Sequence, residues 1–313
     1  MAMLKQRAPL WSPSAETLAA RVHRATAGAA RLLGPGDTPA LKELLARDAI
    51  ANVSVSALME VRGSAGPGKG RNAAFFIGID DPAGGLESAC WVGSNAIPIG
   101  ASAQDAALFG YVARDLRRRF SSIYGPAEAV LALYEATGWE SAREVRADQP
   151  LMVMRAASEI ASAQGLRESQ PEDFKAVEKA CAAMFTEELG FSPYTQGSSE
   201  YRARIKGLID TGHSLIWREA PTDHGWRHRE GKILFKAEFG AVTSAAVQVQ
   251  GVWVDPDHRG EGLSVAGMAA VVDWGLRLAP RVSLYVNDYN TAALRTYRRV
   301  GFEQVGSFAT VLF

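Results

Sequence analysis

At 313 residues the chain is long enough for two domains of ordinary size. With 47% apolar and 22% charged residues, each half can bury a core. Lys plus Arg number 34 and Asp plus Glu 34, so there is no basic excess to neutralise nucleic acid or to dock on an anionic membrane.

The first residues lack the apolar run of a signal peptide, and the longest apolar stretch, Leu263 to Val272, is about half of what a bilayer needs and stops at Asp273. Cys90 and Cys181 lie far apart without a CxxC spacing, which excludes a disulfide framework or a zinc site on count and fits a reducing cytosol. The sequence therefore reads as a soluble, cytoplasmic protein with no metal.

In chain order, residues 15–33 are Ala-rich with Leu18, Val22 and Leu32 at helical spacing and predict a helix. GPGDTP (34–39) breaks it, and 41–50 predict a second amphipathic helix. The Gly-rich 63–72 lack the spacing and the Ser/Thr of a phosphate loop, so they predict a turn before a strand at 73–79. ESACWVG (87–93) reads as a strand and 105–120 as a helix. The arginines at its end (Arg114, Arg117, Arg118 and Arg119) suit a helix C-terminus facing solvent. QPLMVM (149–154) closes a first domain, 1–155. The small, polar residues 156–165 read as a linker to a second domain, 166–313.

The second half restarts with a helix over 170–190, with Pro171 in its first turn and Gly190 at its stop, and another over 199–212. Segments 213–219, 232–242 and 246–256 alternate like neighbouring strands. His224 and His228, at the tip between the first two, have no third ligand nearby and read as loop residues.

The chemistry concentrates in 251–278. A strand runs to Asp255-Pro256, turns through Asp257-His258, and enters Arg259-Gly260-Glu261-Gly262-Leu263-Ser264 before a long helix. Glycines at such a turn let backbone N–H groups converge at a helix N-terminus, a nest for pyrophosphate. Small residues Ser264, Ala266 and Gly267 leave room for a ligand beside it. A dinucleotide fingerprint is absent: there is no GxGxxG and no βαβ entry.

Arg259–Ser264 resembles the Q/R-x-x-G-x-G/A acyl-CoA signature of the GNAT N-acetyltransferase superfamily, with Ser264 where Gly or Ala is usual. Residues 282–306 are similar to the family's later strand and helix, with Asn290, Ala293, Tyr297, Gly301 and Phe302 in its pattern. The resemblance implies an α/β (α+β) fold with a mixed, mostly antiparallel sheet flanked by helices. It also implies acetyl-CoA as cosubstrate and direct acetyl transfer to an amine on a small molecule, peptide or protein. Backbone groups of Val252, Trp253 and Val254 would pair with pantetheine, and one N–H there would polarise the thioester carbonyl. Amides from Gly260 to Ser264 would hold the pyrophosphate. Asn287, Asn290 and Ala293 would contact the pantetheine arm, with Asn290 also capping its helix. Tyr297 would protonate the departing thiolate. For the general base, Glu238 ranks first and Glu187 and Glu188 next; the terminal carboxylate of Phe313 is a remote option. A non-catalytic acyl-CoA sensor and a tandem aminoacyl transferase are the competing readings. The acceptor's identity and a homodimeric state stay open.

LALYEATGWE (131–140) aligns with LRTYRRVGFE (294–303), matching Tyr134 to Tyr297 and Gly138 to Gly301. CWVG (90–93) and VWVD (252–255) read as equivalent strands with a one-residue slip. The chain thus resembles tandem GNAT proteins of actinobacterial type whose N-terminal domain, of unknown function, is a degenerate copy. That copy has SNAIPIGASAQDA (94–106) in place of the cofactor loop, and Tyr134 is expected to be a packing residue.

Overall fold

The computed structural model describes residues 16–70, 73–195, 198–220, 222–224, 227–229 and 231–313. The first half comprises α1 (Leu18–Ala25), β1 (Arg31–Leu32), α2 (Thr38–Arg47), α3 (Val53–Arg62), β2 (Phe75–Asp80), β3 (Leu86–Val92), β4 (Asn95–Ile99), α4 (Ala103–Leu116), β5 (Ser122–Pro126), α5 (Ala127–Thr137) and β6 (Glu144–Met154). The second half follows with β7 (Leu166–Glu168), α6 (Phe174–Leu189), α7 (Ser198–Asp210), β8 (Ser214–Arg218), a hairpin of β9 (Thr222–His224) and β10 (Arg227–Arg229), and then β11 (Ile233–Val242) and β12 (Val247–Val254). It ends with α8 (Leu263–Leu278), β13 (Val282–Tyr285), α9 (Thr291–Val300) and β14 (Glu303–Leu312). The side chains of His224 and His228 lie outside the described residues.

The main sheet runs β1-β2-β3-β4-β5-β14-β6-β13-β12-β11-β8-β7. Its pairs are antiparallel except β4 with β5 and β12 with β13. This order reads the same from either end: each half lays down five strands, and its sixth crosses over. β14 pairs with β5 of the first half, and β6 pairs with β13 of the second. The two crossing strands meet each other along the seam, with Phe308 opposite Gln149 and Glu303 opposite Val153. The expected α/β class, with a mixed, mostly antiparallel sheet flanked by helices, is therefore present, and the two halves share one continuous sheet.

The exchange reaches the cores. Met152 and Met154 of β6 pack with Phe235, Leu284 and Tyr297 of the second half. Ala309 and Val311 of β14 pack with Phe109, Ile123 and Leu133 of the first. Residues 156–165 lie along the second half rather than hanging between halves: the Ser158 hydroxyl donates to the Val300 carbonyl (2.6 Å), Ser162 bonds Asp273, and the Ala163 N–H donates to Ala266 (3.0 Å). At the seam Gln149 is buried, donating to Asn287 Oδ1 (2.8 Å) and accepting from the Thr310 hydroxyl (2.6 Å). Gln149→Leu strands polar groups on both neighbours, at about 1–3 kcal/mol each. A loss of ~2–4 kcal/mol in urea unfolding, as a single transition, is the expected result.

Several local readings change. The helix expected over 15–33 ends at Ala25, because Thr26 turns its hydroxyl onto the Val22 carbonyl (2.9 Å) and Ala27 and Gly28 take φ of +49° and +86°. The chain then pairs as β1. CWVG belongs to β3, which stands where β11 does in the repeat, so the counterpart of β12 is β4 and not the CWVG strand. Arg118 turns inward instead of facing solvent. It donates to the carbonyls of Ala73 and Gly93 (3.3 Å each) and lies over the Phe75 ring.

Candidate functional site

The site starts from a fault in the sheet. β12 pairs with β13 only at Val247–Val282 and Gln248–Ser283. Beyond that point β13 continues along β6, while β12 runs alone on that side to Val254. A gap opens between two strands that began as neighbours. On its other side, β12 is bulged: Trp253 faces Lys236, but Gln250 faces Glu238, so Gly251 and Val252 have no partners on β11. Gly251 takes φ +60°, and a β-carbon there would sit 3.0 Å from the Glu238 carboxyl, so only glycine makes this turn without strain. Val252 and Val254 pack on the core beneath α8, and Trp253 points the other way, into the cluster under α6 and α7.

Residues 255–262 carry the chain from β12 into α8. The buried Asp255 carboxylate accepts from the Asp257 N–H (3.0 Å) and Lys232 Nζ (2.7 Å) and fixes the turn. Arg259 donates to the Val254 carbonyl (3.2 Å) and pairs with Glu187 of α6 (2.6 Å). Gly260 and Gly262 then take φ of +89° and +82°, with open space where side chains would stand. No side chain caps α8, and the N–H groups of Gly260, Glu261, Gly262, Leu263 and Ser264 have no acceptor among the described residues. The first half differs at the equivalent place. Only residues 100–102 link β4 to α4, and Ser102 and Asp105 close that helix end as a capping box.

On α9, Asn290 caps the helix by accepting from the Ala293 N–H (3.1 Å), and Asn287 is held by Gln149. Ser264 bonds Thr296 across α8 and α9 (3.2 Å). Tyr297 is 7% exposed, its ring against Phe302, and its hydroxyl has no hydrogen-bond partner among the described residues. Burial, and then the charge of Glu188, hold this phenol above the ordinary tyrosine range. Tyr134, at the matching place on α5, packs against Phe313. The chain terminus therefore belongs beside the first half's helix and away from Tyr297, which removes the Phe313 carboxylate as a base.

The three candidate carboxylates occupy different settings. Glu238, 2% exposed, receives Lys236 Nζ (2.8 Å), Arg204 (3.1 Å) and the Cys181 thiol (3.3 Å). Burial acts to raise its pKa, but Lys236 and Arg204 outweigh that and hold it below the usual range. Glu187 is tied to Arg259. Glu188 is reached by solvent, yet protein crowds it on several sides. This crowding pushes its carboxyl upward, with Arg146 and Lys236 opposing and Glu187 and Glu238 adding to the rise. The charge of Glu188 also contributes to the upward shift of the Tyr285 and Tyr297 phenols, after burial. Lys236, Arg204 and the Arg146 contributed by β6 were not singled out from sequence. Lys236 and Glu238 did leave a signal: opposite charges two apart on one face of an apolar strand have to pair when buried.

Among the described residues no group of three or more His, Cys, Asp or Glu could hold a metal, and no helix is long and apolar enough to cross a membrane. Cys90 and Cys181 are buried free thiols.

Residues 215–302 match the model of the acetyltransferase (GNAT) family, and residues 76–177 match that of a domain of unknown function, DUF4081. Residues 215–302 thus carry a GNAT acetyltransferase-family domain, preceded by a DUF4081 domain over residues 76–177. The peptidyl-lysine N-acetyltransferase YjaB of Salmonella typhimurium is 29% identical over 109 residues, 35% of this chain and 66% of that protein. Its Escherichia coli counterpart is 27% identical over 109 residues, 35% and 65% of the two chains. This chain spans just under two thirds of the length of these relatives. In fold, it resembles a GCN5-related N-acetyltransferase from Sphaerobacter thermophilus (TM-score 0.57, 19% identity, 90% of this chain and 94% of that one). It also resembles a tandem GNAT protein from the clavulanic acid biosynthesis pathway (TM-score 0.51, 13% identity, 90% and 97%).

Proposed function

We propose that the second half transfers an acetyl group from acetyl-CoA directly to an amine. The observation that carries this reading is the row of unpartnered amides from Gly260 to Ser264, opening beside the gap between β12 and β13. The residues present fit the cosubstrate. Gly260 and Gly262 leave space for phosphate oxygens, the positive end of α8 favours anions, and the free edge of β12 offers backbone groups to an extended amide chain. Acetyl-CoA supplies a thioester-activated acetyl group.

The chain's own residues supply the rest. Glu188 takes the proton from the incoming ammonium. Its crowded carboxyl is a stronger base than an ordinary glutamate, whereas Glu238 is committed to three donors. Tyr297 keeps its proton at neutral pH and holds it at Oη, with no competing acceptor, for the leaving sulfur. An acyl-CoA sensor has no use for a general base and a general acid. The relatives named as peptidyl-lysine acetyltransferases make a lysine ε-amine the first acceptor to try.

Calorimetry on the full chain is expected to show acetyl-CoA binding. Gly262→Val, a β-branched residue at φ +82°, costs about 1–2 kcal/mol of backbone strain and should weaken that binding ~10-fold. No heat of binding in the wild type overturns the proposal.

A further inference from the structure

Lys236 is 0% exposed, on a strand whose neighbours are almost all apolar. Its ammonium pairs with Glu238 (2.8 Å) and donates to the Gly251 carbonyl (2.8 Å), with Met184 of α6 close by. Burying such a pair adds little net stability, since the desolvation of both charges offsets their attraction. What the lysine does to the bulge offers a better account of its position.

We propose that Lys236 is a positioning residue for acetyl transfer, holding the Gly251–Val252 peptide so that the Val252 N–H faces the gap between β12 and β13. The peptide unit is planar, so its C=O and N–H point in opposite directions. Lys236 reaches from β11 and draws the Gly251 carbonyl toward itself. The Val252 N–H then points away from the Lys236 ammonium, and the side left open by the separation of β13 is where an acceptor can reach it. The bulge breaks the regular register at this peptide, and Gly251 at φ +60° permits the turn. A charged donor on the carbonyl also polarises the amide, and hydrogen bonds in series strengthen one another, so the N–H becomes a better donor to a developing oxyanion. Glu238, steadied by Arg204 and Cys181, is the counter-charge that keeps Lys236 ionised in the interior. The inference rests on acetyl-CoA binding at this gap.

The test is isotope-edited infrared spectroscopy of [1-13C]acetyl-CoA bound to the full chain. In the wild type the thioester C=O stretch is expected to fall below its value in water. Lys236→Met leaves Glu238 buried without its nearest cation and should lower Tm. Lys236→Met/Glu238→Gln removes both charges together and should regain most of that Tm, yet lose at least half of the carbonyl shift. A double variant with the wild-type carbonyl frequency overturns the positioning role while leaving the acetyl-CoA reading intact. A wild type with no bound thioester signal overturns both.

Discussion

Tyr297→Phe is expected to keep acetyl-CoA affinity within about twofold and to lower turnover on an amine acceptor by ~10²–10⁴-fold, the range for loss of a positioned acid. The ring stays packed, because Phe302, Leu294 and Val300 contact its carbons. The missing hydroxyl leaves no buried polar group without a partner, since none bonds it. Thermal stability should therefore be close to wild type, separating chemistry from folding. The pH profile of kcat carries a second signature. Glu188 must be ionised to accept a proton, and its carboxyl is held above the ordinary glutamate value of ~4.3. The rate therefore rises with pH as Glu188 loses its proton, above the usual carboxylate range. Tyr297 is held above the ordinary tyrosine value of ~10, so its loss of a proton does not cut the rate near neutrality. Glu188→Gln should abolish the acidic limb and leave acetyl-CoA binding intact. A retained limb in that variant assigns the base elsewhere, and unchanged turnover in Tyr297→Phe removes the acid.

The second half was readable from sequence where physics is local. Strands β8, β11 and β12 form within the segments expected for them, though buried on both faces rather than alternately, and α6 begins after Pro171 and stops at Gly190 in the left-handed region. The nest at Gly260–Ser264 was visible because positive φ and an uncapped helix end both leave marks in a sequence. Less was visible in the first half. α3 starts with Val53 and Val55, which carry no strong helix preference, and it is held by packing on Ala241 and Ala246 of the other half. β4 lies within SNAIPIGASAQDA, which carries no clear strand signal because its partner β5 becomes adjacent only through α4. The assignment of a base depends on distant residues in the same way. Glu238 looked available on its strand, yet Arg204 and Cys181, which occupy it, come from α7 and α6.

The strand exchange left no mark in either half taken alone, because β6 and β14 each carry a largely exposed stretch followed by a buried run, as a last strand within its own half could. Its consequence is large. Residues 156–313 expressed alone are expected to form no stable monomer. Removing β6 takes away Leu151, Met152, Val153 and Met154, now 1–7% exposed, and uncovers the core they pack against and the edge of β13 they pair with. At about 1.5–3 kcal/mol for each buried side chain, their burial stabilises the second half by ~6–12 kcal/mol, an upper bound comparable to the whole stability of a domain. β14 also loses β5 and stands as an open apolar edge. Size-exclusion chromatography should find this fragment as a dimer or aggregate, with two copies exchanging β14 in place of the β6–β14 pair. Co-expression with residues 1–155 should restore a one-to-one complex that binds acetyl-CoA. A monomeric 156–313 with a cooperative melt would show that the first half covers the catalytic half without completing it.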